Sequence, residues 1–239
     1  MEEIFCFVDE RLPRNLIETA KKTIHNAGII YHNTPAIFAG SEPLRGMLGS
    51  DFTKAGTIVK TNEYGIQKDT GPILGKIHEL LRKEGRRIIF ITVDDLTCKS
   101  GGRYLNFCFG HALGRITIIS MVRFESLKAR EQEIVLGGLI MHELGHLYDL
   151  ASDGRRQNTE YNIGMHCTDR NCVMHQGLSR DEITRNFLGV ERHTRLMTDI
   201  KLRYYCPLCV GDIEKYFNPP KKVNQNSSLP PLPPRRKAG

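Results

Sequence analysis

The chain of 239 residues is 40% hydrophobic and 26% charged, a composition that excludes a fibrous or wholly disordered protein and suits one globular domain with a sizeable core. No run approaches the roughly 20 apolar residues of a membrane span, and the N-terminal MEEIFCFVDE is acidic where a secretory leader is basic, so a soluble cytoplasmic protein is expected. The net charge of +7 does not mark a nucleic-acid binder: five basic and no acidic residues from Asn218 onward leave only +2 for residues 1–217.

The first half alternates strand-like and helix-like segments. IFCFVD is a short apolar run fit for a buried strand, and PRNLIETAKKTIHNAG follows with Pro at its start, helical spacing of apolar residues and Gly28 at its end. GPILGKIHELLRKEG predicts a second helix stopped by Gly85, and RRIIFITVDDL a second strand. YLNFCFG and RITIISMVRF predict two further strands across a glycine-containing turn. The pattern is an α/β layer with a mixed sheet, leading into a long helix from about Ser126.

On that helix Leu136, Ile140, Leu144 and Leu147 recur at spacings of four and three, while Val135, Leu139, His142, His146 and Asp149 trace another face. Two imidazoles at i and i+4 are spaced to bind one zinc ion, and Glu143 beside them is placed to act on a metal-bound water. In the extended metzincin pattern a Gly three residues after the second His permits a turn, and a third His follows three residues later. Here those positions hold Asp149 and Ser152. Asp149 is one candidate third ligand, Asp153 a second carboxylate of the same kind, and His166 in GMHCTDRNCVM a third. Cys167, Cys172, Cys206 and Cys209 stand in short paired spacings, which in a chain without a secretion signal favours zinc over disulfides.

The series HExxH, His-Cys, four residues, Cys-x-Met and finally Cys-x-x-Cys resembles the archaemetzincins, zinc metallopeptidases of the metzincin group, with ITVDDL, LNFCFG and SMVRF adding to the likeness over roughly residues 86–210. The resemblance implies a metzincin-like α/β fold with a mixed twisted sheet, a long active-site helix and a zinc-stabilised C-terminal subdomain. It implies two zinc ions: a catalytic one on His142, His146 and His166 with Glu143 as general base, and a structural one on Cys167, Cys172, Cys206 and Cys209. Met174 becomes the Met-turn residue beneath the catalytic metal, and LNFCFG the edge strand on which an extended peptide or protein substrate pairs. The chain departs from the pattern at Asp149 and in about fourteen extra residues, including DGRRQNTEYNIG, before His166. Of the other histidines, His111 reads as a polar turn residue, and His175 as a candidate for lining the site. Cys6, Cys98 and Cys108 read as core thiols.

The expected organisation is a peptidase domain over residues 1–217, divided into an α/β part (1–150) carrying the active-site helix and a four-cysteine part (151–217). A disordered, Pro-rich basic tail follows at 218–239. In that tail Pro230-x-x-Pro233-x-Arg235 resembles a ligand of SH3-type domains. The alternative to peptide hydrolysis is a catalytically weak, zinc-stabilised interaction module that recruits partners through this tail; retention of Glu143 favours the enzyme, since a structural zinc site needs no adjacent base.

Overall fold

The computed structural model describes residues 3–31, 36–40, 56–81, 85–152, 155–161 and 164–219. The SH3-like motif and Asp153 lie outside them. The central sheet has five strands in the order β2-β1-β5-β10-β9: β1 (Ile4–Val8), β2 (Ala36–Gly40), β5 (Arg87–Thr92), β9 (Gly110–Leu113) and β10 (Ile116–Ser120). The first four in that order run parallel and β9 lies antiparallel at the edge. A parallel sheet is covered on both faces, so its inner strands read as continuous apolar runs, and β5 and β10 are buried at every residue.

The pleat then sorts those side chains. Ile89, Ile91 and Ile119 join a core with α1 (Arg14–Ile30) and α3 (Ala129–Leu147) on one face, while Ile88, Phe90, Ile116 and Ile118 join Ile73, Leu74 and Ile77 of α2 (Thr70–Leu81) on the other. A smaller sheet of β3 (Ile58–Asn62), β4 (Gly65–Asp69) and β6 (Asp95–Thr97) and a hairpin of β7 (Lys99–Ser100) with β8 (Arg103–Tyr104) complete this half.

Three expectations change. Gly28 does not stop α1, which continues to Ile30. The segment YLNFCFG is not a regular strand beyond Tyr104; Leu105 and Cys108 donate backbone hydrogen bonds to Cys98 and Leu96, and the edge strand begins only at Gly110. His111 therefore sits within a strand and not in a turn, opposite Ile118, with its Nδ1 2.6 Å from Thr70 Oγ1 at the start of α2.

Helix α3 is the centre of the molecule. Its apolar stripes are buried on several sides at once, which its two apolar faces require. Gly138 admits Phe187 of α4 (Arg180–Thr194), where a Cβ would fall 2.5 Å from the ring. The helix is held at its end and again within its C-terminal half. Buried Arg87 donates from Nε to the Leu147 carbonyl at 3.0 Å and stacks 4.0 Å above the Tyr148 ring, and Tyr205 donates to the Met141 carbonyl at 2.6 Å while contacting Tyr31. The Leu147 carbonyl belongs to the last turn, where acceptors lack intrahelical partners and a cation complements the helix dipole.

Beyond α3 the chain forms an antiparallel pair, β11 (Thr159–Tyr161) and β12 (Met165–Cys167), and then α4 and α5 (Pro207–Phe217). Among the described residues no helix is long and apolar enough to cross a membrane.

Candidate metal centre

One turn of helix separates His142 from His146, and their Nε2 atoms lie 3.1 Å apart. The chain leaves the helix through a Schellman turn: Asp149 N bonds to the His146 carbonyl at 3.1 Å and Leu150 N to the Gly145 carbonyl at 2.9 Å, with Asp149 itself at φ 57°. This is the left-handed position that Gly normally takes and that Asp tolerates better than most residues. Asp149 therefore forms the turn without the glycine, and the chain is redirected at the place where the metzincin pattern redirects it.

The inserted segment then pairs with the strand that follows it. Glu160 of β11 lies opposite His166 of β12, and the strand pair delivers the His166 ring to within 5.2 Å of His142 and 4.9 Å of His146, centroid to centroid. One ligand atom from each of the three imidazoles lies within 4.8 Å of the others. Asp149 is not in that group.

The hydrogen bonds fix which nitrogens converge. A carbonyl only accepts, so the 2.6 Å contact from His142 Nδ1 to Val173 O and the 3.1 Å contact from His166 Nδ1 to Gly164 O place the protons on Nδ1. Both Nε2 lone pairs are then free for a metal, with the carbonyl orienting each ring as an outer partner does. Burial holds the His142 pKa at about 3 and lowers those of His146 and His166, which keeps the imidazoles neutral at pH 7. Neutral rings, aligned lone pairs and a common focus fit a zinc ion.

Glu143 faces the sheet. It is 5% exposed, accepts a hydrogen bond from Thr117 Oγ1 at 3.0 Å, and is pushed up to about pKa 7 by burial, an effect that the Thr117 bond opposes. Beneath the histidines Met174 packs on Gly145, where any Cβ would overlap its sulfur. His175 lines the same cleft, with Asn186 Nδ2 donating to its Nδ1 at 3.1 Å. The cleft has a volume of about 500 Å³; Phe107, Leu178 and Phe187 give it apolar walls, and Tyr161 of the insertion stands at its rim.

Behind β12 the four cysteines gather. Cys167 and Cys206 sulfurs are 3.7 Å apart, Cys172 and Cys209 3.6 Å, and all four lie within 4.8 Å of one another. These separations are far longer than a disulfide and match the roughly 3.8 Å edge of a tetrahedron with ~2.3 Å zinc–sulfur bonds. Hydrogen bonds from Cys172, Cys206 and Cys209 pull the Cys167 thiol below its usual range, toward the thiolate that binds metal. Cys206 caps α5 and Cys209 lies in its first turn. Sequence reasoning missed the Gly110 clearance beside Glu143, Thr117, and Arg155, which reaches the cysteines from the insertion; no motif marks any of them.

The fold is that of a metzincin-like α/β protein. The likeness to the archaemetzincins holds in both sequence and fold: an archaemetzincin of Thermococcus kodakarensis is 29% identical over 148 residues, 58% of this chain and 62% of that protein. The match thus spans less than two thirds of the length of this curated relative. Among solved structures, the archaemetzincin of Methanopyrus kandleri superposes with a TM-score of 0.57 at 19% identity, covering 91% of this chain and 96% of that one. A zinc-dependent peptidase of Methanocorpusculum labreanum superposes at 0.54 and 16% identity, covering 88% and 99%. No protein-family model matches.

Proposed function

We propose that the chain is a zinc-dependent peptidase of the archaemetzincin kind, with His142, His146 and His166 as ligands of a catalytic zinc and Cys167, Cys172, Cys206 and Cys209 as ligands of a structural one. The observation that carries this reading is the convergence of three neutral imidazoles beside a buried carboxylate at the floor of one cleft. Zinc held there supplies Lewis-acid activation of water and of the substrate carbonyl.

Glu143 does the proton chemistry. Its carboxylate accepts the proton of the attacking water and passes it to the departing amine, which requires a group able to change protonation state near neutral pH. Thr117 holds the carboxylate in one orientation. An extended peptide pairs with the outer edge of β9, which lies at the end of the sheet, and its side chains enter the apolar part of the cleft. None of the seven cysteines is in a disulfide, so the four in the cluster keep the thiol form from which a metal takes thiolate ligands.

The test is cleavage of a peptide mixture by the purified, zinc-loaded chain, with new N-termini read by mass spectrometry. Cleavage by the wild type and none by Glu143→Ala supports the reading. A zinc-replete protein that cleaves nothing would point instead to an interaction module.

A further inference from the structure

The long insertion before His166 is tied down by Arg155. Its side chain is 6% exposed. Nη1 donates to Cys209 Sγ at 3.1 Å and to Asp212 Oδ2 at 2.8 Å, while Nη2 donates to the Asn158 carbonyl at 2.9 Å. That carbonyl also accepts from Thr168 N, beside Cys167, and Thr159 Oγ1 returns a hydrogen bond to the Arg155 carbonyl at 2.9 Å. Asp212, on α5, accepts in addition from Ala151 N at 3.1 Å, just past the end of the active-site helix. One guanidinium thus touches the thiol cluster, the C-terminal helix and the turn that opens the β11–β12 pair.

We propose that Arg155 is a positioning residue that couples the two metal sites, donating to the Cys209 thiolate and, through Asn158, fixing the strand pair that carries His166. The inference rests on the four-cysteine site holding zinc. Four thiolates around a divalent cation carry two net negative charges in a buried place, and a guanidinium hydrogen-bonded to one sulfur offsets part of that charge. Its planar fork serves sulfur, carboxylate and carbonyl together, which an ammonium at the same position does not. The extra residues before His166 therefore make the catalytic ligand depend on the cysteine site.

The experiment uses the full chain, wild type against Arg155→Gln and Arg155→Lys. Three readouts are taken: zinc release to a chromogenic chelator, metal content, and the thiolate-to-metal charge-transfer band of the cobalt-substituted protein. Arg155→Gln is expected to release zinc from the cysteine site on the order of ten-fold faster, with a shifted charge-transfer band, and to lose metal from the histidine site although all three histidines remain. Arg155→Lys keeps the charge and is expected to restore the band in part while the histidine site stays depleted. It also carries the comparison should the Gln variant fail to fold. Wild-type release, band and metal content in both variants would overturn the role of Arg155. A wild-type cobalt protein with no charge-transfer band would instead remove the zinc reading of the cysteines, and this inference with it.

Discussion

Gly110 and Glu143 touch so closely that the first residue of the edge strand has no room for a side chain: a Cβ there would overlap Oε1 of the glutamate and lie 2.5 Å from its Cδ. The carboxylate is held in a slot between the backbone of β9 and the Thr117 hydroxyl. Gly110→Ala is expected to push the flexible end of Glu143 aside, lowering kcat/KM by on the order of 10²-fold through lost general-base action while zinc content stays at the wild-type level. Unchanged hydrolysis in a folded, metal-loaded Gly110→Ala protein would dissociate this contact from the chemistry.

Substituting the carboxylate itself separates catalysis from metal binding. Glu143→Ala is expected to retain zinc, because Glu143 is not among the converging ligand atoms, and to lose about 10²- to 10⁴-fold in kcat. Metal analysis and peptide cleavage on the same sample check it. Zinc lost along with activity would make Glu143 part of the metal's support.

Thr117→Val removes a hydrogen bond donated to the carboxylate form of Glu143. The charged form loses stabilisation, so the glutamate pKa rises and the acidic limb of the pH–rate profile moves to higher pH. A profile that does not move, or moves to lower pH, contradicts the assignment of Glu143 to that limb.

The third ligand is tested by a pair of variants. His166→Ala is expected to abolish activity and empty the histidine site while the cysteine site stays filled. Asp149→Gly is expected to keep both metals and to alter stability by no more than about 1 kcal/mol, since Gly takes the left-handed C-terminal position at no steric cost. Loss of the catalytic metal in Asp149→Gly, with His166 dispensable, would hand the ligand role to the aspartate.

The parts of the fold that were legible in the sequence are those whose burial leaves a pattern. IFCFV, RIIFIT and ITIIS are mostly apolar and do not alternate because helices cover both faces of their sheet, and α3 shows its stripes because several partners pack on it. Apolar residues in LNFCF suggest a strand, whereas the edge pairing begins at Gly110, where the backbone can approach Glu143. The pair β11–β12 has no alternation to read: TEY is half-buried to exposed, and its order comes from backbone bonds and from Arg155, one of two adjacent arginines in a polar stretch. At Asp149 the residue type conceals the turn, since the left-handed backbone is reached without the glycine that marks it.

The Arg155–Asp212 contact also joins segments that leave the ribosome well apart in time. The sheet, α1 and the active-site helix lie within the first 147 residues and are available to pack as they emerge, since chains are made from the N-terminus. The groups that tie down the His166 strand pair from outside it, Cys206, Cys209 and Asp212, lie some forty residues further along. On the proposed reading, a nascent chain that displays the helix with its two histidines and its glutamate still lacks the cysteine-side support of its third ligand until α5 has been made.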